Sequence, residues 1–190
     1  ITKIDYTTCF SLIDFPIPDK IDKIIEKLHE EKIISKKGNY YNITNLGALL
    51  FSRKIEEIDS IYRKAIRIII YRDNDRLTTL EEHVSDKGYA VGFEWVIDFI
   101  KNKLPYNEVI EGALRKNILK YPLIAIRELV ANSLIHQDLS IKGTSPTIEI
   151  FANRIEITNP GKPIINTLRF IDHSPESRNE KLAYLMRRMK

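Results

Sequence analysis

The sequence predicts an α+β fold, in which a small helical, winged-helix-like segment precedes helices packed on a sheet. Three observations carry that expectation. Apolar residues recur at helical spacing near the N-terminus, on either side of a short strand pair. A β-branched run, Ala65-Ile66-Arg67-Ile68-Ile69-Ile70-Tyr71, reads as a mostly buried strand. Beyond it, strand-like and helix-like stretches alternate to the end of the chain.

In the first segment, Pro18-Asp19 starts a helix whose apolar positions are Ile21, Ile24, Ile25, Leu28 and Ile33. Lys36-Lys37-Gly38-Asn39 makes a turn, and Tyr40-Tyr41-Asn42-Ile43 follows as a short strand. Thr44 or Asn45 caps a second short helix through Leu46, Leu49, Leu50 and Phe51. Helix, short strand pair and helix together resemble a small winged-helix module. Its basic turn could be a DNA-contacting wing or simply a solvated hairpin, and charge runs are more often solvated. Cys9, beside Phe10 and Leu12, reads as a small buried hydrophobe.

A join between about 55 and 64 separates this segment (1–55, with its linker) from a larger domain, 56–190. In that domain a helix is expected over 93–104, with Trp95, Val96, Phe99 and Ile100 on its apolar side. Residues 107–118 form one or two strands. Pro122 suits the first position of a helix running to His136, with Leu123, Ile126, Val130 and Leu134 as its core stripe. Thr147-Ile148-Glu149-Ile150-Phe151 and Arg154-Ile155-Glu156-Ile157-Thr158, joined at Ala152-Asn153, make a hairpin that Asn159-Pro160-Gly161 breaks. Ser177 with Glu180 three residues on announces a last helix.

Composition narrows the function classes. Apolar and charged fractions near the globular average, and room for one large or two small cores in 190 residues, argue against wholesale disorder. A formal charge of +4, spread along the chain, permits an acidic partner without requiring one. One cysteine excludes an internal disulfide framework and a multi-cysteine zinc site, and suits a reducing, cytoplasmic setting. No apolar run approaches the roughly 18 residues that span a bilayer, so no membrane association is expected. His29, His83 and His173 lack acidic or cysteine partners at metal-ligand spacing. No Ser-His-Asp arrangement can be argued, because the serines lack the glycines of a nucleophile elbow. Ile1 in place of Met, and a helix-like pattern still running at Met189-Lys190, read as cut ends of a longer protein.

One constellation suggests chemistry. Glu128, Asn132 and His136 recur every four residues and so share one helix face, away from the core stripe. Asparagine is a mediocre helix-interior residue. Its amide oxygen is a hard neutral ligand that suits magnesium, and a Glu one turn earlier could hold and deprotonate a water. A wet polar stripe has the same spacing. Likewise Asn159-Pro160-Gly161 is either an ordinary turn or a backbone open to close approach by a ligand.

Taken together and in order, Arg127-Glu128-Leu129-Val130-Ala131-Asn132-Ser133 resembles the helix motif of the GHKL ATPases. That superfamily includes gyrase-type topoisomerases, heat-shock chaperones, mismatch-repair ATPases and histidine kinases. The resemblance implies Glu128 as the water-activating base and Asn132 as the ligand of a nucleotide-bound Mg2+. His136 falls at the motif's end. Ile155 to Gly161 falls where the superfamily places a strand and its Asp-x-Gly-x-Gly adenine loop, with Asn159 replacing the aspartate and Pro163 the second glycine. The spacing Glu-x-x-x-Asn-x-x-x-His is followed by Gln137-Asp138-Leu139-Ser140, the Arg154–Gly161 stretch and Ser177-Arg178-Asn179. With Pro16-Ile17-Pro18 and Asn45-Leu46-Gly47-Ala48-Leu49-Leu50-Phe51, these are similar to the divergent GHKL-like domain of RecG-related transcriptional regulators over nearly the whole chain.

The resemblance implies a GHKL (Bergerat)-like fold with helices on a mixed sheet, and upstream AlbA (Schlafen-type) and downstream winged helix-turn-helix domains outside this chain. It implies ATP and Mg2+ as cofactors, with Asn132, His136, Asn159, Gly161 and Arg178 as binding residues. Arg178 opens the last helix, where a phosphate is favoured, although a simple cap is the commoner arrangement. Nucleotide sensing within a DNA-associated regulator is the function this points to, with DNA met through the flanking domains. A dead scaffold or dimerisation module, a homo-oligomer among its forms, and a slow Mg-dependent ATPase are the alternatives. Helicase action is not supported, since the chain has no Gly-x-x-x-x-Gly-Lys-Ser/Thr loop. Its seven glycines also supply no glycine-rich lid.

Overall fold

A computed structural model describes residues 2–111, 114–165, 168 and 176–188 of the chain, and the side chains of 107–118 lie outside that description. Expectations for His173, Met189 and Lys190 fall on residues beyond it.

The N-terminal module contains three helices and a hairpin. Helix α1 (Tyr6–Leu12) is capped by the Asp5 carboxylate, which accepts from the Thr8 amide at 3.2 Å. Helix α2 (Ile21–Glu30) buries Ile24 and Leu28. Strands β1 (Ile34–Lys37) and β2 (Tyr40–Ile43) pair around a turn in which Gly38 takes φ 60°. Helix α3 (Asn45–Phe51) starts where Thr44 Oγ1 accepts from the Gly47 amide at 3.0 Å, as its sequence signal predicts. A Cβ at Gly47 would collide with the Ile33 carbonyl, so glycine lets this helix lie against the chain leaving α2. Ile33 lies beyond the end of α2, yet it is buried in the core that α2 lines.

The second half builds a four-stranded mixed sheet ordered β4-β3-β7-β8. Strands β3 (Ile66–Tyr71) and β7 (Thr147–Ile150) run parallel. Strands β4 (Thr79–Ser85) and β8 (Ile155–Thr158) join antiparallel at either side. The crossover between β3 and β7 carries helix α4 (Tyr89–Lys103), a hairpin of β5 (Tyr106–Glu111) and β6 (Leu114–Leu119), and helix α5 (Leu123–His136). Ile68, Ile70, Ile148 and Ile150 pack from the sheet against Val96, Ile97 and Ile100 of α4 and Ile126, Val130 and Leu134 of α5. The fold is therefore α+β with helices over a mixed sheet, as the sequence and its resemblance imply.

A second core draws on both ends of the chain. Helix α6 (Glu180–Arg188) inserts Leu182 and Leu185 among Phe10, Ile24, Leu28 and Leu50 of the N-terminal module. The opposite sheet face is closed by a smaller cluster, where Tyr71 stacks on Phe151 at 4.9 Å. There Arg76 bridges the buried Glu149 and Glu156. No helix among the described residues is long and apolar enough to cross a membrane.

Trp95 departs from its expected core position, since it is 47% exposed. Helix α4 begins at Tyr89, before the expected start, so its buried stripe is Tyr89, Gly92, Val96, Ile97 and Ile100. Trp95 and Phe99 instead stack on the flank at 5.4 Å.

Candidate functional site

Helix α5 presents the predicted constellation. Pro122 precedes it as the N-cap residue, and the missing proline N–H costs nothing there. Burial of Ile126, Val130 and Leu134 fixes the rotation of the helix, leaving Glu128 and Asn132 exposed and His136 half-buried along one line. At about 1.5 Å rise per residue, each step along that line is about 6 Å. Neither Glu128 nor Asn132 makes a side-chain hydrogen bond among the described residues. The same face exposes two large apolar residues, Ile124 at 67% and Leu129 at 54%.

The C-terminal end of α5 is a crossroads. Gln137 is fully buried, and its Nε2 donates to Tyr89 Oη and to the Leu134 carbonyl, each at 3.0 Å. Tyr89 in turn donates to the Lys64 carbonyl at 2.7 Å, and burial pushes its phenol well above the usual range. Asn179, just ahead of α6, donates from Nδ2 to the carbonyls of Ile135 and Gln137, both at 2.8 Å. Those are carbonyls a helix end leaves unpaired, so Asn179 caps α5 from 42 residues away.

The loop after β8 reaches the same point. The Asp138 amide donates to the Pro160 carbonyl at 2.7 Å. Gly161 adopts φ 112°, and a Cβ there would lie 2.7 Å from Asp138 Cβ. Its glycine is thus required by the chain's own packing. Arg178 donates to the Lys162 carbonyl and lies 3.4 Å from the Asp138 carboxylate. Hydrogen bonds from the Ser140 hydroxyl and amide hold the Asp138 carboxyl below its usual range. Burial, and then the positive charge of Arg178, hold His136 below the usual imidazole value. Lys64 is buried and donates to the Ile141 carbonyl at 2.6 Å.

The structure therefore brings His136, Arg178 and the Asn159–Gly161 loop to one end of α5, with Asn132 and Glu128 one and two turns away along the same face. Tyr89, Lys64 and Gln137 brace that end and carry no local sequence signal, because their partners are distant in the chain. Two cavities lie elsewhere. One, of about 500 Å³, is lined by Glu31, Leu46, Tyr184 and Arg188, and another, of about 330 Å³, by Tyr62, Arg63, Arg67 and Ser145. Neither includes any residue of the α5 face. No group of three or more His, Cys, Asp or Glu among the described residues could hold a metal ion.

Comparison with known proteins bears on this arrangement. Residues 143–190 match the profile of the family described as "Putative ATP-dependent DNA helicase recG C-terminal". That match supports a RecG-related, ATPase-like domain at this end of the chain, taking in β7, β8 and α6 but not α5. No curated protein matches the chain. The crystal structure of the DIP2311 protein from Corynebacterium diphtheriae is similar in fold, with a TM-score of 0.70 at 19% identity. The similarity covers 97% of this chain and 35% of that one, so this chain spans about a third of its structural relative.

Proposed function

We propose that this chain binds a nucleoside triphosphate of the ATP type, with magnesium, against the exposed face of α5, and serves as the nucleotide-sensing part of a DNA-associated transcriptional regulator. The observation that carries the reading is the composition of that face. Among the described residues Glu128 and Asn132 have no side-chain partner, and Ile124 and Leu129 are exposed beside them. An apolar flank beside free hard-oxygen groups suits a ligand with a flat base and a charged tail better than it suits water. Asn132 would hold the magnesium through its amide oxygen, and bound magnesium would neutralise phosphate charge. His136, Asn159 and Gly161 border the site at the C-terminal end of α5. Arg178, which contacts the Asp138 carboxylate at 3.4 Å and donates to the Lys162 carbonyl, would exchange the Asp138 contact for a phosphate.

The test is a thermal-shift titration with ATP, ADP and GTP, with and without magnesium, alongside Asn132→Ala. Ligand at about 100 times its dissociation constant stabilises by roughly 2.7 kcal/mol, which moves the midpoint of a domain this size by about 5 to 10 °C. The shift should require magnesium and vanish in Asn132→Ala. Without ligand, that variant should be as stable as the parent or a few tenths of a kcal/mol more so, because alanine is the better helix former. No shift with any nucleotide would refute the reading.

Slow hydrolysis is the second reading, favoured by the exposure of Glu128 one turn from Asn132. The Glu128 carboxylate would take a proton from water as that water attacks the terminal phosphorus and the bond to the bridging oxygen breaks, releasing nucleoside diphosphate and phosphate. Glu128→Ala would then abolish magnesium-dependent turnover and leave binding intact.

A further inference from the structure

The β1–β2 hairpin is anchored at its base and stands clear at its tip. Ile34 is buried in the N-terminal core. The Thr44 amide donates to the Ile33 carbonyl at 3.0 Å, and its hydroxyl donates to the Lys32 carbonyl at 2.8 Å. From Ser35 to Asn42 every residue is exposed. A Cβ at Gly38 would meet nothing within 4 Å, so nothing crowds the turn. From Lys32 to Ile43 the chain holds Lys32, Lys36 and Lys37 and no acidic residue, although it carries 26 Asp and Glu in all. The acids just before this stretch, Glu30 and Glu31, are engaged by Lys27 and Arg188. Among the described residues no carboxylate pairs with Lys36 or Lys37. The register sets Lys36 opposite Tyr41 and Lys37 opposite Tyr40. Opposed residues share a face and successive ones alternate, so each face of the hairpin carries one lysine and one tyrosine. Tyr40 is 77% exposed, and no other aromatic ring among the described residues is more so.

We propose that this hairpin is a contact for duplex DNA, entering the major groove tip first so that Lys36 faces one phosphate backbone and Lys37 the other. The unneutralised lysines call for an anionic partner, and the shape of the hairpin selects which one. A two-stranded ribbon with side chains on both faces takes up about 10 Å, the spacing at which sheets stack. That fits a major groove about 12 Å wide and not a minor groove about 6 Å wide. The deep, narrow major groove of duplex RNA excludes it. A single strand is gripped by stacking its bases on aromatic rings along one groove, whereas Tyr40 and Tyr41 lie on opposite faces. Within the DNA groove the Tyr40 hydroxyl, at the tip, meets phosphate and sugar oxygens. These contacts position the chain on DNA without reading its sequence. They lie inside this chain, in addition to any made by flanking domains, and are independent of the nucleotide site on α5.

Fluorescence anisotropy of a labelled duplex of about 20 base pairs, titrated with the 190-residue chain at several salt concentrations, tests the contact. The parent should bind with a dissociation constant below about 100 µM at about 50 mM salt. Each phosphate contact contributes about 0.9 to the slope of log affinity against log salt, so Lys36→Gln/Lys37→Gln should lower that slope by about 1.8. Between about 50 and 200 mM salt the parent should then lose affinity roughly tenfold more than the variant. Lys87→Gln/Lys142→Gln removes the same charge from exposed positions elsewhere and should keep the parental slope. Tyr40→Ala should weaken binding about threefold at unchanged slope. All these side chains are exposed, so each variant should keep the circular dichroism of the parent. A chain that binds no duplex up to about 100 µM overturns the proposal. So does a hairpin variant with the parental slope, or a control pair that loses as much as the hairpin pair. Tighter binding to a single strand of the same length overturns it too, as does hairpin-dependent binding to phosphatidylserine vesicles in place of DNA.

Discussion

Replacing Asn179 by alanine separates a structural role from a ligand-binding one at the junction of α5 and α6. Its Nδ2 supplies both hydrogen bonds to the carbonyls of Ile135 and Gln137, each 2.8 Å long. Each such bond contributes about 0.5 to 1.5 kcal/mol net, so losing two costs about 2 kcal/mol in total. For a domain of this size that lowers the melting midpoint by roughly 4 to 8 °C. Urea unfolding followed by far-UV circular dichroism reads the loss as a lower midpoint at unchanged slope. Asn179→Asp should be at least as damaging, because a carboxylate cannot donate and would face carbonyl oxygens. Were Asn179 present only to meet a phosphate, both variants would match the parent without ligand. A loss below about 0.3 kcal/mol, within the scatter of surface substitutions, would refute the capping argument.

Gly161→Ala should destabilise by about 2 to 4 kcal/mol, since the residue sits at φ 112° and its new Cβ would lie 2.7 Å from Asp138 Cβ. Equilibrium denaturation showing a change below about 1 kcal/mol would mean the loop moves aside at little cost. Glu149 gives a prediction in pH. The hydrogen bonds of Arg76 hold its carboxyl below the usual range in the folded chain. A depressed folded value contributes stability that is present above the unfolded value of about 4.3 and is lost as pH falls through the folded one. Arg76→Gln should therefore lower stability at neutral pH, by an amount solvent screening keeps modest, and flatten the loss below about pH 4. Parallel pH profiles for parent and variant would count against that pairing.

What was readable without the structure was what local period and local chemistry specify. The β-branched run at Ile66–Tyr71, the hairpin broken at Asn159-Pro160-Gly161 and the Thr44 cap each signal themselves within a few residues. Strand β4 is not legible in the sequence because its half-buried face carries the polar residues Glu81, His83 and Ser85, so Thr79–Ser85 shows no apolar alternation. Helix α1 is short, and its Tyr6-Thr7-Thr8-Cys9-Phe10-Ser11-Leu12 carries only weak helix formers at most positions. Trp95 reads as core because it adjoins Val96 and Ile100, which are buried, while Tyr89 and Gly92, which centre the buried stripe away from it, lie before the expected helix start.

The α5 face divides in the same way. Four-residue spacing by itself aligns Glu128, Asn132 and His136, because the helical period is a property of the backbone. The sequence alone thus determined the α+β class, the helix carrying the candidate site and the order of that site's residues. The tertiary structure decided that Ile124 and Leu129 flank them in the open, and that Gly161 is reserved for Asp138. It also decided that Asn179 caps a helix 42 residues earlier, and that α6 closes the N-terminal core. Those outcomes depend on which surfaces meet across long chain separations, and no local period encodes that choice.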